Sequence, residues 1–196
     1  PNIKSMLLAE PEHVFLCPDY KQAELFVVAM LAGEEKLLEL LLNGVDIHRT
    51  VAAEMLYGVP FDKVTADQRY LSKRTVHGSN YGLSWMKLGE LFAKEKIYLE
   101  AKELKRMQHA YHSGFPKIKA VYQKNVEAEL LTSRRLVNAF GRPRTFFGKL
   151  DDEMFRKGYA FIPQSTISDL LKRAAVKINQ KLPVLGEQHD SMWVLS

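Results

Sequence analysis

Two aspartates stand where a chain that handles phosphate would need them. Asp19 follows His13 to Pro18 (HVFLCP), an apolar run that reads as a short buried strand, and precedes Gln22 to Leu31, whose apolar residues take up helical spacing until Gly33. Asp190 lies where two extended runs, Pro183 to Gln188 and Ser191 to Leu195, meet as in a hairpin. Taken singly, the first reads as a helix cap and the second as a solvated turn residue. Together they suffice for two divalent ions, because Mg2+ prefers one or two carboxylates plus waters and substrate phosphates to a closed protein cage. Two such ions can stabilise the attacking and leaving oxygens of an in-line phosphoryl transfer.

A second constellation is more specific: Arg69-x-x-x-Lys73-x-x-x-His77-Gly78-x-x-Tyr81-Gly82. On a helix, steps of four residues drift by about 40°, so these side chains form one slanting stripe roughly 18 Å long. Its basic end suits a triphosphate and its ring end a sugar and base. An ordinary surface helix can also carry such a stripe. Gly78 and Gly82 weaken a helix, however, and are best explained by something packed against the backbone.

The elements that must position these groups are mostly helical. Helices are expected at about Glu34 to Leu42, Asp46 to Tyr57, Ala93 to Tyr111, Pro116 to Leu131 and Ser165 to Lys181, the last with one apolar face. Thr65-Ala66-Asp67-Gln68 is a capping box that starts the helix bearing the stripe. Arg135 to Phe147 reads as a small hairpin or loop, and the fold class is α+β with a small antiparallel sheet.

The 196 residues, 46% hydrophobic, allow one well-buried domain or a core with an inserted subdomain. No apolar run is long enough to span a bilayer and no secretory leader is recognisable, so an intracellular protein with no membrane partner is expected. The single Cys17 excludes an internal disulfide and reads as a small residue in a buried strand. Net charge is +5, but residues 94–149 alone carry about +8, which suits a polyanion met by one face. Solvated helix faces would give the same composition.

The segments Asp19-Tyr20-Lys21-Gln22-Ala23-Glu24-Leu25, Arg69 to Gly82 and Gln188-His189-Asp190 resemble, in order and spacing, motifs A, B and C of family A DNA polymerases, the DNA polymerase I type. Asp46-Ile47-His48, Phe140-Gly141-Arg142 and Gln164 with the helix after it add weaker similarities, and the likeness covers nearly the whole chain. The resemblance implies a DNA-templated DNA polymerase that extends a primer 3′ end with deoxynucleoside triphosphates. It further implies a palm at residues 1–33 and 113–196 and helical fingers at 34–112. Asp19 and Asp190, with the backbone carbonyl of Tyr20, would hold two Mg2+ ions. Arg69, Lys73 and His48 would bind the triphosphate, Lys73 also protonating the pyrophosphate leaving group. Gln22 would lie near the phosphates, Glu24 would block a ribose 2′-hydroxyl, His77 would meet the sugar and Tyr81 would guard the template side. Arg156, Gln164 and His189 would contact primer–template DNA.

Phe26, Ser191 and Ala160 depart from the Arg, Glu and Asn usual in the family, which bears on minor-groove checking rather than on metal binding. His77 replaces the usual Phe or Tyr and is closer to phage-like members, which extends the expected location to a phage-infected cell. The family's thumb and exonuclease domains cannot fit ahead of residue 19, so a fragment of a longer enzyme is expected. The alternative is a catalytically weak nucleic-acid-binding module derived from such an enzyme.

Overall fold

In this computed structural model the described residues are Ala9, residues 11–188 and residues 191–196. Strand β1 (Phe15–Leu16) feeds the Asp19 turn, and α1 (Ala23–Ala32) follows it. Gly33 ends α1 at φ 62°, its N–H reaching the carbonyls of Ala29 and Met30. That left-handed cap costs glycine little. Next come α2 (Glu35–Leu42) and α3 (Ile47–Thr50), which runs on into a π-helical turn at Val51–Tyr57. The helix expected over Asp46 to Tyr57 is thus one element in two geometries.

The capping box is formed on both sides. The amide of Gln68 donates to Thr65 Oγ1 at 3.2 Å, and the amide of Thr65 to Gln68 Oε1 at 3.0 Å, opening α4 (Ala66–Asn80). Tyr81 is its C-cap residue.

The helix expected from about Ala93 to Tyr111 starts only at Ala101 as α6 (Ala101–Gly114), and a separate helix, α5 (Trp85–Lys94), precedes it. The chain turns at Lys96, with φ 63°, so that Leu88 and Phe92 meet Leu104 in a buried cluster of their own. A single straight helix would leave those apolar faces in water. After a π-helical turn at Ile118–Gln123 come α7 (Lys124–Thr132) and the hairpin β2 (Arg135–Val137) with β3 (Pro143–Thr145), in the place expected.

The longest helix, α8 (Asp152–Ile178), begins well before the expected Ser165 and passes through the buried Pro163. Proline has no N–H for the carbonyl four residues earlier. That carbonyl belongs to Tyr159, and the buried Tyr122 hydroxyl donates to it instead. A tertiary hydrogen bond thereby replaces the missing helical one.

Strands β4 (Val184–Gln188) and β5 (Ser191–Leu195) pair antiparallel, and β1 lies on the far edge of β5 in the order β1-β5-β4. As an edge strand β1 sets Phe15 against Leu195 and Leu16 against Val194, and Val14 exchanges two backbone hydrogen bonds with Ser196. Cys17 is exposed, against the expectation of a buried strand residue, because β1 is the outer strand of the sheet and the HVFLCP run is largely open to solvent. Leu171 on α8 packs with Met192 and Val194 to cover one face of the sheet. The main core joins Leu25 and Val28 of α1 to Ile47, Val76, Tyr111, Phe115, Ile118 and Leu130. The architecture is α+β, as expected. Among the described residues no helix is long and apolar enough to cross a membrane.

Candidate active site

The Asp19 turn is fastened to the sheet from one side and to the α2–α3 loop from the other. Asp19 bridges Ser191 antiparallel, and the amide of Met192 donates to the carbonyl of Pro18 at 3.2 Å. Lys21 Nζ donates to the carbonyl of Gly44 at 2.7 Å. The Gln22 amide donates to the Val45 carbonyl and accepts from the Ile47 amide, both at 3.0 Å. Gln22 itself stands at φ 54°, a left-handed conformation that these two bonds help to hold. Asp19 and Tyr20 are exposed, and Ser191 is the residue that follows Asp190 in the sequence. Asp190 and His189 lie outside the described residues.

The α2–α3 loop in turn holds α4. Asp46 caps α3 by accepting from the Arg49 amide at 3.1 Å, while its other oxygen accepts from Arg69 Nε at 2.7 Å. Burial would raise the Asp46 carboxyl, yet the bonds from Arg69 and the Arg49 amide hold it below its ordinary value. The Nε edge of Arg69 is therefore engaged, and its terminal nitrogens are the part that can meet an anion. His48 is buried, with its ring centroid 5.4 Å from that of His77 and the planes 38° apart. Its Nδ1 finds no hydrogen-bond partner among the described residues. Burial, and then His77, Arg69 and Lys73 against the opposing pull of Asp46, push the His48 pKa down to about 3. Its imidazole is thus neutral near pH 7 and offers a hydrogen bond rather than a charge. Lys73, one turn beyond Arg69, is exposed.

At the other end of α4, the Tyr81 hydroxyl donates to Glu24 on α1. Burial, then the Glu24 carboxylate, push the phenol well above its usual range, so it stays a donor. Gly82 follows at φ 67°, and an added Cβ would lie 2.5 Å from the Tyr159 ring. The packing that the sequence assigned to Gly82 is supplied by the chain's own α8, and Gly78 is likewise closed over by Leu83 and Leu88.

Arg69, His48 and His77 are therefore brought together, Lys73 acts on the same imidazole, and Glu24 and Tyr81 are bonded. Gln22 is tied into the α2–α3 loop. Arg156 and Gln164 lie on α8, half-buried and exposed respectively. Sequence reasoning missed Asp46 as the anchor of Arg69. It also missed Gln123, whose amide donates to the carbonyls of Ser79 and Asn80 at 2.8 and 3.0 Å. The capping position of Asp46 before Ile47 was a visible signal for the first, whereas nothing local marks the second.

A metal at Asp19 would fit the donors present: an exposed carboxylate, the adjoining Tyr20 carbonyl, and a backbone bridge to the neighbour of Asp190. Among the described residues no cluster of three or more His, Cys, Asp or Glu forms a closed cage.

A family model described as DNA polymerase family A matches residues 1–195. The chain is 30% identical over 203 residues to the thermostable DNA polymerase I of Thermus aquaticus, covering 97% of this chain and 23% of that protein. It is 29% identical over 192 residues to DNA polymerase I of Pseudomonas aeruginosa, covering 94% of this chain and 20% of that protein. It spans about a fifth to a quarter of the length of these relatives. Its fold is similar to the POL domain of Pol1 from M. smegmatis, solved in complex with DNA primer–template and dNTP. That match has a TM-score of 0.79 at 22% identity and covers 95% of this chain and 34% of that one.

Proposed function

The chain belongs to DNA polymerase family A, and on that premise we propose that it is the palm and fingers of a DNA-templated DNA polymerase whose parent chain supplies the remaining domains. The observation that carries the reading is the order of groups along α4 and its neighbours. Arg69 and Lys73, beside the neutral His48, suit a triphosphate, His77 follows one turn on, and Tyr81 is bonded to Glu24 at the far end.

In this reading residues 34–112 are fingers, while 1–33 and 113–196 are palm. The separate Leu88–Phe92–Leu104 cluster supports a distinct fingers tip, and the main core shared by α1, α4 and α6 supports a fingers base fused to the palm. Primer–template DNA and deoxynucleoside triphosphates are the partners.

Asp19, Asp190 and the Tyr20 carbonyl would hold two Mg2+ ions, which when bound supply charge stabilisation for the attacking and leaving oxygens. The chain's own groups do the rest. The terminal nitrogens of Arg69 and the ammonium of Lys73 bind phosphate oxygens, and Lys73 is the proton donor to the departing pyrophosphate. His48 contributes an uncharged donor to the phosphates, with Gln22 setting the loop beside them. His77 meets the deoxyribose, Glu24 occupies the space a 2′-hydroxyl would need, and Tyr81 closes the template side. Arg156, Gln164 and His189 contact the primer–template duplex.

The test is template dependence. The parent enzyme is given one primer on four templates that differ only in the base opposite the next position. Addition of the complementary deoxynucleotide in each case supports the reading. Binding without addition would leave the weak-binding module, and addition that ignores the template base would reject templated synthesis.

A further inference from the structure

Helix α4 carries the nucleotide-binding side chains, yet its two ends are held by different means. At the start, Arg69 pairs with Asp46, and both side chains are partly exposed. At the end, beyond the partly buried Tyr81–Glu24 bond, the ties are buried. The Tyr111 hydroxyl donates to Asn80 Oδ1 at 2.7 Å, and the Gln123 amide donates one bond each to the carbonyls of Ser79 and Asn80. Gln123, Asn80, Ser79 and Tyr111 are all at most 5% exposed.

The last carbonyls of a helix lack backbone partners inside it. Here the amide of Gly82 reaches Ser79 O at only 3.2 Å, and the chain turns off at Gly82 before continuing into α5. Gln123 alone supplies the donor for the Asn80 carbonyl among the described residues. It comes from the end of a π-helical turn more than forty residues away in sequence and takes no part in the nucleotide stripe. A buried amide is costly unless its hydrogens are used, and both N–H groups of Gln123 are used on the turn immediately before Tyr81.

We infer that Gln123 is a positioning residue for nucleotide selection: its amide fixes the last turn of α4, and so sets Tyr81 against Glu24. The inference rests on the polymerase reading of that pair. Without the amide, the Ser79 and Asn80 carbonyls must find other donors, the last turn loosens towards Gly82, and the Tyr81–Glu24 contact loses its register. Tyr111 acts in the same sense through the Asn80 side chain.

The experiment compares the parent enzyme with its Gln123→Leu and Tyr111→Phe variants, the first of similar length without donors and the second lacking only the hydroxyl. For Gln123→Leu the expected result is a KM for the correct deoxynucleotide raised by about tenfold with kcat held within about threefold, and a discrimination against ribonucleotides reduced by about fivefold or more. Tyr111→Phe moves the same parameters less. In a Glu24→Ala background Gln123→Leu causes no further loss of ribonucleotide discrimination, because both changes act through one contact.

A fall in kcat that tracks a lowered Tm, with KM and discrimination intact, would reduce Gln123 to a structural support and overturn the inference. Should Gln123→Leu fail to fold, an unchanged Tyr111→Phe enzyme would overturn it equally. Absence of templated extension by the unsubstituted parent would remove the reading on which the inference stands, and the inference with it.

Discussion

His48 and His77 face each other, and that pair separates what a residue type announces from what its surroundings decide. The stripe from Arg69 to Tyr81 was legible because its members are chemically distinctive and four residues apart. The partners were not, since Asp46 and Arg69 meet across 23 residues and Glu24 and Tyr81 across 57. Two predictions belong at this scale. Glu24→Ala in the parent enzyme raises the ribo- to deoxynucleotide incorporation ratio by about tenfold or more, measured by competition on one template. An unchanged ratio would make Glu24 an ordinary first-turn carboxylate. On the proposed placement of His77 at the sugar, His77→Phe is expected to lower the dideoxy- to deoxynucleotide incorporation ratio, because an imidazole would offer a polar group near the missing 3′-hydroxyl and a phenyl ring would not. Equal ratios for the two enzymes would remove His77 from sugar recognition.

Among the elements, the capping box, the Gly33 stop and both hairpins could be read locally because each is closed by groups a few residues apart. The start of α8 could not. Pro163 signals a break to any local reading, and only the Tyr122 hydroxyl, brought in by the preceding π-helical turn, makes the longer helix tenable. The division between α5 and α6 was hidden for a similar reason, since it depends on Leu104 meeting Leu88 and Phe92 across the turn. The Pro163 account makes a quantitative demand. Tyr122→Phe leaves the Tyr159 carbonyl unsatisfied and lowers stability by about 1–3 kcal/mol in denaturant titrations. Adding Pro163→Ala restores a helical donor, so the double variant loses less than the sum of the two single changes. Strict additivity would mean that the hydroxyl does not stand in for the missing N–H.

For the molecule as a whole, the sequence conveyed the α+β class and the concentration of positive charge in residues 94–149. It could not show that one core runs from α1 through α4 and α6, because that depends on contacts between distant segments. Two buried histidines contribute to acid sensitivity at this scale, beside carboxylates such as Asp46 that are held below their ordinary value. His48 is pushed to about 3, by burial first and then by His77. His112 is pushed to about 4, by burial first and then by Lys119 and His109. Both folded values lie below 6.5, so the unfolded chain takes up these protons first. Stability is therefore fully present above that pH and falls as pH drops towards the folded values, by about 1.4 kcal/mol per pH unit for each group. Denaturation midpoints between about pH 7.5 and pH 4.5 should decline less steeply for His112→Phe, and an identical slope would mean that His112 titrates as in water.

The central claim, metal-dependent templated synthesis with Asp190 as a ligand, is tested most directly by single-turnover primer extension in the parent enzyme and its Asp190→Asn variant, with primer–template affinity measured alongside. On the proposed reading phosphate contacts supply the affinity and the carboxylate the chemistry, so extension is expected to fall by more than about a thousandfold while the Kd for primer–template stays within about threefold. Extension by Asp190→Asn within about tenfold of the unsubstituted enzyme would contradict the claim.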